Sequence, residues 1–174
     1  MSIVVKCIGA GAIIGGAYIL GNCFNKELRE KERFDSGLEQ GLRFLEGRIA
    51  ITEKMLSDVM KEAGDKFFGG EKNLFNDFSE GLLKGGEASE TWRGAVEKMT
   101  YPGGGVPERE RECLLKLEHA FTLSDVERYS ESFNAAAEEM KGIRLEVEAK
   151  RKKEGSAAIK ICLCGALAAV LVIW

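Results

Sequence analysis

Apolar and polar positions divide the chain into three regions. Two nearly continuous apolar segments, Ile3–Phe24 and Ala157–Trp174, bracket a long stretch in which apolar residues recur every three or four positions. Each end segment approaches the 20 or so residues that roughly 30 Å of hydrocarbon requires. Each is expected to form a transmembrane helix, which places the spans at residues 1–24 and 157–174 and a helical domain at 25–156. Lys6 and Lys160 lie near the ends of these segments, where a long side chain reaches the headgroups. The first segment carries Gly11 and Gly15 at GxxxG spacing, and Ala12 with Gly16 repeats the step. Small residues on one face let a second membrane helix approach closely. A cleaved leader is disfavoured, because Lys6 alone is no basic n-region and Asn22 is too large for the residue preceding a lipoprotein cysteine.

The middle region reads as helical throughout. Leu38, Leu42, Leu45, Ile49 and Leu56 form a narrow stripe on a polar helix. After the break at Gly69-Gly70, residues Leu74, Phe75, Phe78 and Leu82 mark a short helix that stops at Gly85-Gly86. Ala88, Trp92, Ala95, Val96 and Met99 mark the next, with Glu87 and Glu90 near its positive end. Tyr101–Pro107 is a glycine-rich loop. Pro107 suits the first turn of a helix that turns Leu114, Leu117 and Phe121 inward. Thr122–Asp125 is a tight link in which Ser124 or Asp125 is placed to cap the last helix of the domain. The most regular stripe is Val126, Tyr129, Phe133, Ala136, Met140, Ile143 and Val147, a heptad pattern. It fits the seam of an antiparallel bundle, since the neighbouring segments carry matching stripes and short links. It also fits a pairing helix in a membrane-tethered receptor or sensor subunit that dimerises as a coiled coil. Gly155-Ser156 is the only interruption between Asp125 and Trp174, so one helix of about 75 Å is expected to run from domain to bilayer. The fold class is all-α, an antiparallel bundle with terminal transmembrane helices.

Charge gives this layout a direction. Residues 34–149 hold 24 acidic and 15 basic side chains, a net charge of −9. Basic collars flank them: Lys26, Arg29, Lys31 and Arg33 on one side, Lys150, Arg151, Lys152 and Lys153 on the other. Basic residues prefer the cytoplasmic side, so the domain is expected in the cytoplasm and both termini outside. The acidic body argues against a nucleic-acid partner.

Chemistry is sparse. The glycine-rich loop lacks the Lys-Ser/Thr and the preceding strand of a phosphate-binding loop. His119 has no motif partner, and the five cysteines show neither a CxxC pair nor zinc-ligand spacing. No catalytic residue, metal, cofactor or small-molecule substrate is expected. An enzyme would need a deep polar pocket holding strongly shifted acids or bases.

Several segments taken in order resemble a known family. Leu42-Arg43-Phe44-Leu45-Glu46, Ala88-Ser89-Glu90-Thr91-Trp92-Arg93 and Leu123-Ser124-Asp125, set between two spans, are similar to stage III sporulation protein AB. The resemblance implies a bundle of about six helices, similar to the F-type platform domain of type II secretion. It implies a mother-cell membrane protein of a multi-protein channel-like apparatus needed for forespore development, coupling a cytoplasmic ATPase to other membrane subunits. Leu45, Glu46, Trp92, Ser124 and Asp125 are the structural positions it marks. Trp92 is expected to be a core anchor, with an edge contact to a partner as the other reading. Relatives carry a Gly/Pro-type break after the Leu-Glu-x-x-Ile segment. Ala50–Met55 has none, so either Ser57 caps a second helix or the first two helices run together.

Overall fold

A computed structural model describes residues 3–49, 55–67, 69–101, 104–121, 126–155, 160–161, 164–165 and 168. The chain divides into two units. One comprises Lys31–Leu145; the other comprises Met1–Glu30 and Glu146–Trp174.

Among the described residues the elements are α1 (Ile3–Ile49), α2 (Leu56–Lys66), α3 (Gly70–Leu83), α4 (Ala88–Lys98), β1 (Thr100–Tyr101), β2 (Gly104–Gly105), α5 (Glu108–Lys116), α6 (Glu118–Phe121) and α7 (Val126–Lys150). A π-helical turn, Arg151–Gly155, follows α7. The architecture is helical and bundle-like, as the periodicity predicts.

Four details differ from the sequence expectation. The first stripe does not reach Leu56: α1 ends at Ile49 and Leu56 opens α2. The first two helices are therefore separate, and the residue before α2 is Met55 in an extended conformation, not a capping Ser57. Ser57 instead lies buried, and its carbonyl accepts the Ser79 Oγ–H at 2.8 Å, tying α2 to α3. The glycine-rich loop is a miniature antiparallel pair, with Thr100 opposite Gly105 and Tyr101 opposite Gly104. The segment after Pro107 is two helices, because i→i−3 bonds from Leu117 N–H to Leu114 O and from Ala120 N–H to Leu117 O tighten the backbone between them. The long helix shifts to π bonding at Arg151, so its α-helical part is shorter than the expected 75 Å run. Ser124 and Asp125 lie outside the described residues.

Two turns explain why the short helices start and stop where they do. Gly85 takes φ +82°, and the Gly85 and Gly86 N–H groups return to Leu82 O and Gly81 O. That is the Schellman pattern, and glycine adopts its left-handed residue without a Cβ penalty. Gly70 begins α3 against the strand pair: a Cβ there would collide with the Thr100 carbonyl oxygen.

The core lies within Lys31–Leu145. Phe34, Leu38, Leu42 and Leu45 of α1 join Phe75, Phe78, Trp92 and Leu114 in one buried cluster with Phe133, Ala137, Met140 and Ile143 of α7. Phe133, Ala136, Met140 and Ile143 of the α7 stripe are therefore covered by their own chain, which is the bundle reading. Phe121 anchors an aromatic group, with ring centroids 5.0 Å from Phe78, 5.4 Å from Trp92 and 6.0 Å from Phe133. Two further buried bonds lock helix pairs. Trp92 Nε1–H donates to Leu114 O at 2.7 Å, and Cys113 Sγ–H donates to Ala136 O at 3.5 Å.

Candidate functional site

An open groove of about 410 Å³ lies between α3 and α4. Gly81, Gly94 and Ala95 form part of its lining; the Thr91 methyl fills the place of a Gly81 Cβ, and Gly94 has open space where a Cβ would be. Asp77, Glu80, Glu87 and Glu90 line it as well, against Lys84 and Lys98. Lys84 Nζ lies 3.6 Å from Glu80, which leaves the groove with an acidic excess. Glu87 and Glu90 belong to the N-terminal end of α4, where the helix dipole favours them.

Trp92 is not part of this surface. Its side chain has no exposure at all, and the edge-contact reading fails for that reason. Leu45 is likewise wholly buried, and Glu46 is half-buried at the other end of α1.

A second cluster is internal. Asp35 on α1 and Glu110 on α5 are buried at 0% and 1% exposure, and the Glu110 carboxyl acts directly on that of Asp35. Lys31 Nζ lies 3.0 Å from Glu110 Oε1. Apart from that ion pair, none of the four carboxyl oxygens has a hydrogen-bond partner. Burial, then the neighbouring Glu110 carboxyl, push the Asp35 carboxyl up to about 7. Arg144 draws it the other way from α7 but is engaged by Glu39 at 2.7 Å. Nearby, burial pushes the Cys113 thiol up to about 12, which leaves it an inert core residue. Glu71 is also buried, and burial raises it. Among the described residues no group of acids, histidines and cysteines is arranged to hold a metal ion.

The collar residues do not act as one set. Lys26 is exposed beside Glu30, and Arg29 and Arg33 are exposed. Lys31, in contrast, is directed to Glu110. Lys150 lies 3.8 Å from Glu154, Lys152 pairs with Glu148, Lys153 is exposed and Arg151 is half-buried. Gly15 has open space where a Cβ would be, and Gly11 lies in the same helix. Among the described residues no helix is long and apolar enough to cross a membrane. Several side chains of the first apolar segment lie outside the described residues, as do 157–159, 162–163, 166–167 and 169–174 of the second.

The sequence profile of stage III sporulation protein AB matches residues 6–174, nearly the whole chain. The chain belongs to the stage III sporulation protein AB family. A solved structure described as stage III sporulation protein AB is 19% identical at a TM-score of 0.64, and the match covers 71% of this chain and 98% of that one. At that identity the likeness bears on the fold alone. No curated protein matches the chain.

In this family member Trp92 and Leu45, two of the positions that sequence reading marks, are wholly buried. It passes over Asp35 and Glu110 entirely. Each stands among other acids in a polar-looking helix, and the signal that was there is spacing: Asp35 lies three residues from Leu38 and seven from Leu42, and Glu110 four from Leu114 and seven from Leu117, which sets both on inward faces.

Proposed function

We propose that this chain is a non-enzymatic component of the sporulation stage III apparatus, held in the mother-cell membrane by two spans with its bundle in the cytoplasm. The observation that carries the reading is the family match over residues 6–174, which takes in both apolar ends. The GxxxG face of Gly11 and Gly15 would serve packing against another membrane helix, and the collar residues other than Lys31 would rest on anionic headgroups at about 1 kcal/mol per residue. The bundle would link a cytoplasmic ATPase to membrane subunits. The acidic groove between α3 and α4 supports that part: its acidic excess and the open space at Gly94 fit a basic helical segment of a partner.

A photo-crosslinker at Gly94, inside the groove, tests this in sporulating cells, with Lys61 on α2 as the control position. The expected result is a crosslink to the ATPase from Gly94 only, weakened by the Glu87→Lys/Glu90→Lys pair and by added salt. Association insensitive to salt and to charge reversal would remove the groove from the reading. Release of the chain from membranes by alkaline carbonate, or a reporter inside the bundle active only on the outer side, would overturn the topology.

A further inference from the structure

The Asp35–Glu110 pair has no part in the proposed docking surface, and burying two unpartnered carboxylates together costs far more than the single nearby cation returns. Both lie in the seam between α1 and α5, sealed from solvent. Four buried oxygens lack a hydrogen-bond donor, and buried polar groups in native proteins are almost always partnered. A proton on one carboxyl supplies one donor: an O–H of one acid then bonds to an oxygen of the other, a charge-assisted bond of the strong kind that partners two of the four oxygens. We propose that Asp35 and Glu110 hold one proton between them, and that this proton keeps the α1–α5 seam closed.

The surroundings place the negative charge of the pair on the Glu110 side. Lys31 lies 3.0 Å from Glu110, and Glu110 belongs to the first turn of the nine-residue helix α5, where the dipole favours an anion. Asp35 sits within α1, far from either end of its own helix, and carries the proton. The charged groups acting on it are Glu110 of α5, Lys31 of its own helix and Arg144 of α7. Arg144 is already matched by Glu39 on α1, and Lys31 by Glu110. Neither is available to neutralise a second carboxylate. On α5, Cys113 lies one turn beyond Glu110 and remains a thiol. With one proton the cluster of Lys31, Asp35 and Glu110 is neutral. Without it the cluster is a buried pair of like charges, and the seam is driven apart. The bundle thus carries a proton site that loosens α1 from α5 as the surroundings turn alkaline.

Infrared spectroscopy of the full chain in detergent micelles tests this directly. At about pH 6, where ordinary carboxyls are ionised, the folded wild type is expected to keep a carboxylic-acid C=O band that Asp35→Asn removes. Unfolding at that pH is expected to release about one more proton from the wild type than from Asp35→Asn. The asparagine amide reproduces a neutral donor to Glu110, so the variant is expected to fold at pH 6 and to keep slow amide exchange in α5 at higher pH, where the wild type quickens beyond the intrinsic base-catalysed rise. Absence of the acid band in the folded wild type, equal proton release by both proteins, or an Asp35→Asn variant unable to fold at pH 6 would each overturn the proposal.

Discussion

Replacing Trp92 with alanine removes the residue on which the core of the bundle converges. The side chain is wholly buried, with ring centroids 5.2 Å from Phe78 and 5.4 Å from Phe121, and its Nε1–H donates to Leu114 O. Deleting a buried tryptophan costs about 3–5 kcal/mol through lost transfer energy and the cavity left behind. The hydrogen bond adds little more than about 1 kcal/mol, since the Leu114 carbonyl keeps the Leu117 N–H at 3.1 Å and is not orphaned. Trp92→Phe separates the two contributions: it keeps most of the ring packing and loses the bond, so roughly 1–2 kcal/mol is expected. For a chain of this size 1 kcal/mol moves the melting temperature by about 2–4 °C, so the alanine variant should melt roughly 10 °C lower and the phenylalanine variant a few degrees lower. Thermal unfolding of the full chain in micelles, followed by circular dichroism, measures both. An alanine variant that melts with the wild type would refute the burial argument, and one that melts normally yet loses a partner would restore Trp92 to a surface role.

Further expectations rest on particular contacts. Gly70→Ala would push a methyl group against the Thr100 carbonyl and the Phe34 ring, the latter at 3.0 Å, and overpacking of that kind costs about 1–3 kcal/mol, readable as a lower denaturation midpoint. Lys116 and Glu139 are paired at 2.7 Å but largely exposed, so Lys116→Ala should change stability by less than about 1 kcal/mol in the same assay. Asp35 has its carboxyl raised in the folded chain, so the folded state binds more protons than the unfolded one between about pH 4 and about pH 7. Stability is then full below the ordinary carboxyl range and declines as pH rises toward 7, by at most about 1.4 kcal/mol per pH unit. Glu71, also raised by burial, adds a slope of the same sign. A stability profile that is flat or rises across this range in wild type, or that is unchanged in Asp35→Asn, would contradict the sign.

The apolar ends, the basic collars, the helical periods and the heptad stripe of α7 were all legible in the sequence. Each is a local property: a repeat of 3.6 residues commits a segment to one buried face wherever that face later packs. The same reasoning located the stop at Gly85-Gly86, because the turn that ends α3 needs a residue at positive φ. Tertiary structure decided what covers each face. It set the middle of the α7 stripe against α1. It split the segment after Pro107 at Leu117, and paired Tyr101 with Gly104 where sequence shows only a loop. It also brought Asp35 to Glu110, residues far apart in the chain. A carboxyl's environment is a sum over neighbours from several helices, and no spacing along one helix records it. Sequence therefore determines which residues turn inward, while only the packed bundle decides which of the inward groups meet, and whether two acids must share a proton.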